Sequence, residues 1–135
     1  MDKALNYLAL ARKAGLAELG EEPVGAATRA GKARLVLVAA DSGDHTWRRA
    51  KSFVAGTDQQ CVRVPYSKDE MGQAIGRTSL AIAAITDPAL ALSLVKALPQ
   101  PEEAVVAALQ ECADRVQQRK KEQKAHRRNI RKGKK

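Results

Sequence analysis

A chain of 135 residues that is 44% apolar but only 3% aromatic has room for one packed domain and an appendage, with a core built from Ala, Val, Leu and Ile. Its formal charge of +9 points to acidic partners, and two distant cysteines, Cys61 and Cys112, offer no C-x-x-C, no disulfide framework and no zinc site. No apolar run reaches about 18 residues and no leader pattern is visible, so a soluble cytoplasmic protein without a membrane segment is expected.

In chain order, Leu5, Leu8, Ala9 and Arg12 fall at helical spacing, and Gly15 is placed to end that helix. The short 16-LAEL-19 reads as a strand. Gly20 makes a turn, Pro23 suits a first helical turn, and the helix closes near Ala30 with Gly31 beyond it. Residues 35-LVLVAA-40 are apolar at every position, the mark of a strand covered on both faces. A loop over 41–45 precedes a helix over 46–54, and 60-QCVRV-64 alternates as a half-buried strand. The run 67-SKDE-70 is a capping box whose helix ends at Gly76. A second fully apolar strand, 80-LAIAAI-85, is followed by Asp87 and Pro88, an N-cap and a proline at N1, with a helix to about Leu98. After 99-PQP-101, residues Val105, Leu109, Cys112 and Val116 keep helical spacing, on a helix either docked or free.

Helices alternating with strands predict a three-layer α/β/α sandwich around a small mixed sheet of about four strands. The domain is expected over residues 1–98, with a helical basic extension over 99–135.

The charge is concentrated. From Arg115 to Lys135 there are eleven Lys or Arg and one acid, Glu122, so the rest of the chain is almost neutral. Such a tail is a partner for phosphates, through Arg119, Lys120, Lys121, Lys124, Arg127, Arg128, Arg131 and Lys132. Beyond Val116 it lacks the apolar face that a membrane-surface helix needs.

Catalytic patterns are absent. His45 and His126 are isolated, and there is no nucleophile elbow, P-loop or dinucleotide fingerprint. Asp41 and Asp44 suit a turn or cap, and Gly72 and Gly76 suit close packing and a helix end. No enzyme activity, cofactor or metal is expected.

The runs 20-GEEPVGAATRAGKARLVLVAAD-41, 64-VPYSKDEMGQAIG-76 and 81-AIAAITD-87, with the opening 7-YLALARKAGLAELGEE-22, resemble the kink-turn-binding ribosomal-protein superfamily typified by archaeal ribosomal protein L-seven-Ae. The nearest branch resembled is that of the small bacterial YlxQ proteins, and the likeness spans about residues 4–98. It implies a sandwich that binds structured RNA without catalysis, ribosomal or otherwise, in a protein that is a monomer when free. The ribosome itself is a candidate partner.

The family binds through the start of its second helix and through the loop before its last strand. Carried over, these are Gly20, Glu21 and Glu22, and Arg77, Thr78 and Ser79, with Arg29, Lys32 and Arg34 as backbone contacts beside the helix. A carboxylate at the helix start accepts hydrogen bonds from a guanine edge while cations elsewhere hold phosphates. The archaeal pattern runs glycine, any residue, asparagine, glutamate, then lysine three residues later. Without gaps, Glu22 falls at the asparagine, Pro23 at the glutamate and Ala26 at the lysine. Shifted by one, Glu21 and Glu22 take the Asn-Glu positions and Gly25 the lysine. An alternative use of the same fold is a protein-interaction scaffold or oligomerising adaptor, presenting the helix from Glu102 to Val116.

Overall fold

Four short strands form the middle layer: β1 (Ala17–Leu19), β2 (Leu35–Val38), β3 (Gln60–Arg63) and β4 (Ile82–Ile85), in the order β1-β4-β2-β3. β4 pairs antiparallel with both β1 and β2, and β2 pairs parallel with β3, so the sheet is mixed as expected. The computed structural model describes residues 2–133, with side chains described through His126. Arg127, Arg128, Arg131 and Lys132 of the expected tail contacts therefore lie outside the described side chains.

The six described helices are α1 (Lys3–Lys13), α2 (Glu21–Arg29), α3 (Asp44–Val54), α4 (Lys68–Ala74), α5 (Pro88–Lys96) and α6 (Glu103–Gly133). Successive strand residues face opposite sides. Leu35, Leu37, Ala83 and Ile85 therefore join one core with α1, α4, α5 and the start of α6. Val36, Val38, Ile82 and Ala84 join a second, smaller core with α2 and α3. β2 and β4 are buried at every position because helices cover both faces. The α/β/α sandwich read from the sequence is the observed architecture.

Local signals place the helix starts. The Ser67 hydroxyl accepts from the Glu70 amide, and the Glu70 carboxylate accepts from the Ser67 amide, each at 3.0 Å. The Asp87 carboxylate accepts from the Leu90 amide at 2.9 Å, ahead of Pro88. Asp2 caps α1 through the Ala4 amide and also accepts from the Tyr66 hydroxyl at 2.6 Å, which pins the N-terminal helix to the β3–α4 connection.

Several boundaries differ from the expectation by one or two residues, three of them with a local cause. β2 stops at Val38 because the chain then leaves the ladder: the Ala40 amide donates to the Tyr66 carbonyl. β4 starts at Ile82 because the Leu80 amide is taken by the Lys68 carbonyl. α3 starts at Asp44, two residues early, with Gly43 as an N-cap that has no side chain to advertise it.

α6 is docked. Val105 (5% exposed) and Leu109 (2%) enter the larger core, with Val106 packed against its margin, and Cys112 and Val116 are half-buried. From Gln117 through His126 every residue is exposed. Among the described residues no helix is long and apolar enough to cross a membrane. Leu109→Ala should lower stability by about 2–5 kcal/mol, the usual range for a buried Leu. Cutting the chain after Val116 should leave the denaturation midpoint almost unchanged, and cutting at Pro101 should lower it more than Leu109→Ala; chemical denaturation checks all three.

Candidate functional site

β4 runs from Ile82 to Ile85, and its two ends sort the surface residues. At the Ile82 end, the Gly20 amide donates to the Ile82 carbonyl at 3.0 Å, extending the β1–β4 ladder to the start of α2. This brings Gly20, Glu21 and Glu22 beside the 77–81 segment that leads into β4. The Ala81 carbonyl accepts from the Ala39 amide and the Ser42 hydroxyl, so the start of α3 joins the same end. The two stretches carried over from the family resemblance thus lie at the same end of the sheet.

Gly20 has φ 99° and ψ 162°, a backbone that residues with a Cβ rarely adopt. It also offers no side chain to cap α2, so the Glu21 and Glu22 amides at the helix start have no side-chain acceptor from the N-cap, and Pro23 has no amide to offer. α3 begins in the same way at Gly43. Two helix N-termini without side-chain caps therefore share one end of the molecule, where their dipoles favour anions. α4 starts there too, but its amides are occupied by the capping box and by the Asp41 carboxylate, which accepts from the Lys68 amide at 2.8 Å.

The two glutamates at the α2 start are not equivalent. Glu21 Oε1 lies 2.6 Å from Arg49 Nε on α3, with the side chains 44% and 50% exposed. Pairs this open contribute up to about 1 kcal/mol. Among the described residues Glu22 forms no ion pair. The sequence carried no signal for Arg49, because its approach to Glu21 depends on α2 and α3 packing side by side. On the same helix the Arg49 guanidinium lies 5.5 Å from the Phe53 ring centre. The Trp47 ring is flanked by Lys51 at 5.8 Å and Arg63 at 5.0 Å.

The 77–79 loop owes its position to Gly72. A Cβ on Gly72 would stand 2.6 Å from the Ser79 amide nitrogen and 2.8 Å from the Thr78 carbonyl carbon, both backbone atoms that cannot rotate away. Arg77, Thr78 and Ser79 are all exposed, on a loop seated against α4.

Arg29, Lys32 and Arg34 are not part of this end. The Arg34 amide donates to the Ile85 carbonyl, and Lys32 and Arg29 precede it at the C-terminal end of α2. They sit at the Ile85 end, a nine-residue helix away from Glu21, or about 13 Å at 1.5 Å per residue. The structure brings together two of the expected groups and separates the third.

Burial, reinforced by the Glu102 carboxylate, pushes the Cys61 thiol up to about 12, which makes it a poor nucleophile at neutral pH. Among the described residues no group of three or more His, Cys, Asp or Glu is placed to hold a metal ion.

The fold so described is a three-layer α/β/α sandwich with a four-stranded mixed sheet, and solved proteins share it. One is a protein of unknown function from Bacillus halodurans, with a TM-score of 0.68 and 25% identity over 74% of this chain and 100% of that one. Another is a 15.5kD RNA binding protein of Giardia lamblia, with a TM-score of 0.56 and 18% identity over 84% of this chain and 83% of that one. The second likeness is one of fold alone. No family model and no curated protein matches the chain.

Gly72→Ala should displace the 78–79 backbone and cost about 1–3 kcal/mol, the range for overpacking. Amide shifts in an NMR spectrum should concentrate at residues 77–80 and 72; a spectrum changed only around residue 72 would contradict the contact.

Proposed function

We propose that this protein binds structured RNA without catalysis, as a member of the kink-turn-binding superfamily and of its small bacterial YlxQ-type branch, in association with translation. The observation that carries the reading is the Gly20–Ile82 hydrogen bond, which sets the start of α2 at the end of the sheet where the last strand begins. Support comes also from the fold shared with an RNA binding protein of Giardia lamblia. On this reading Glu22 accepts from the N1–H and N2–H₂ edge of a guanine left open by a sheared pair. The amides of the α2 and α3 starts and the Arg77 guanidinium take phosphates.

The packing bears on which alignment with the family pattern is apt. Gly25 lies against Phe53, where a Cβ would stand 3.1 Å from the ring, so a lysine at position 25 would have to displace it. Ala26 is exposed. The gapless register, with Glu22 at the asparagine position and Ala26 at the lysine, fits the structure better. Arg49 is held on Glu21 on the Gly25 side of α2, while Lys32 lines one groove with Pro23 and Ala26 and is the cation nearer the lysine position of that register. The adaptor reading drew on the apolar face of residues 102–116, and that face packs against α5 and the core.

A kink-turn hairpin should bind, and a hairpin with its sheared pairs replaced should bind more weakly. Glu22→Ala should remove about 1–3 kcal/mol of that discrimination, the worth of a good base contact, while total affinity at low salt changes little. Arg77→Ala should weaken both hairpins alike and lower the salt slope of hairpin binding by about 1. Affinity for either hairpin should fall between about 50 and 200 mM salt, as phosphate contacts require. Fluorescence anisotropy of both hairpins in the two salts tests these points, and no binding to either at low salt sinks the reading.

A further inference from the structure

The long basic helix leaves the sandwich at the end opposite Glu22. α6 begins where Glu102 shares a groove with Arg63, Val64 and Pro65, which is the Ile82 end, since Arg63 is in register with Val38 and Val38 with Ile82. It then runs antiparallel to β3. At Arg115 it has reached the Ile85 end: the guanidinium lies 3.9 Å from Asp58, two residues before Gln60, which is in register with Leu35 and so with Ile85. α6 continues to Gly133, and 18 residues at about 1.5 Å each carry it roughly 27 Å beyond Arg115.

The same end carries Arg29, Lys32 and Arg34. It is one connected surface: the Gln59 side-chain amide donates to the Thr28 carbonyl at 3.1 Å, and the Gln60 amide to the Arg34 carbonyl at 3.2 Å. These bonds join the end of α2 to the turn that holds Arg115. Buried Arg34 Nε has no hydrogen-bond partner among the described residues. Acids on or beside this surface include Asp58, held near Arg115; Glu18, in one groove with Lys32; Asp114, which accepts from the Gln110 side chain; and Glu122, which accepts from the Gln118 side chain.

We infer that the Ile85 end and the exposed part of α6 form a second nucleic-acid site, which takes the phosphate backbone of a separate RNA segment while the Glu22 end holds the first. The helix carries Lys120, Lys121 and Lys124 on exposed positions with no apolar stripe, so it suits neither a membrane interface nor an apolar protein groove. Its charge density fits a polyphosphate, and its direction carries those charges away from the end that holds Glu22. One molecule therefore joins two RNA segments. The second site rests on residues of its own; only the joining of two segments rests on the function proposed above.

The test uses the full chain, a kink-turn hairpin and a short RNA duplex that cannot anneal to it, with the hairpin on beads and the duplex labelled. The full chain should retain the duplex on hairpin-coated beads. The variant K120E/K121E/K124E should lose duplex affinity by about tenfold or more at low salt, with the duplex salt slope reduced by about 3. Its hairpin affinity should change far less, and Arg77→Glu should show the reverse pattern. Circular dichroism confirms that the charge variant keeps the fold, since its sites are exposed and outside the core. Mutual competition of the two RNAs for one molecule overturns the inference, as does equal weakening of both RNAs by either variant, or absence of duplex binding to the full chain. Duplex binding that depends on the tail, with no hairpin binding, upholds the second site and defeats the reading of the Glu22 end.

Discussion

β4 is the strand on which the molecule depends. It is the only described strand paired along both edges by antiparallel partners, β1 on one side and β2 on the other. Its middle residues, Ala83 and Ala84, are wholly buried on opposite faces, so each helical layer meets a small side chain at the centre of the sheet. Its end carbonyls then do the sorting. Ile82 takes the Gly20 amide and Ile85 takes the Arg34 amide, and with those two bonds α2 is held at both ends with its start and finish facing opposite directions.

That geometry gives the molecule two chemically different poles. At one, glycine-capped helix starts, two glutamates and Arg77 make a mixed surface, suited to reading hydrogen-bond donors and holding a few phosphates. At the other, Arg29, Lys32, Arg34 and the exposed course of α6 make a surface dominated by cations, suited to affinity without selectivity. The acidic start of α2 and most of the chain's basic charge lie at different ends of the molecule. The Glu21–Arg49 pair adds a division of labour within the first pole: one carboxylate is neutralised by its own protein, and the other faces outward.

Much of the fold was legible in the chain because it is written in local chemistry. Ser67 with Glu70, and Asp87 with Pro88, announce helix starts through hydrogen bonds made within three residues. The all-apolar runs around Val36 and Ala84 announce strands covered on both faces. The start of α3 was missed because Gly43 caps without a side chain. Of the candidate site, Gly20 to Glu22 and Arg77 to Ser79 could be proposed from the chain, while Arg49 could not, because it reaches Glu21 across 28 positions of sequence.

By itself the sequence determined the element types, the apolar aliphatic core, the mixed α/β architecture and the segregation of charge into the last helix. Those properties follow from composition, periodicity and contacts between near neighbours. Only the tertiary structure decided that Gly20 meets the first residue of β4, that the backbones of Arg29, Lys32 and Arg34 stand at the far pole, and that α6 docks through Val105 and Leu109 and leaves on their side. The physical reason is that strand order and register are set by pairings between segments far apart in the chain, whose energy depends on packing that no local pattern encodes.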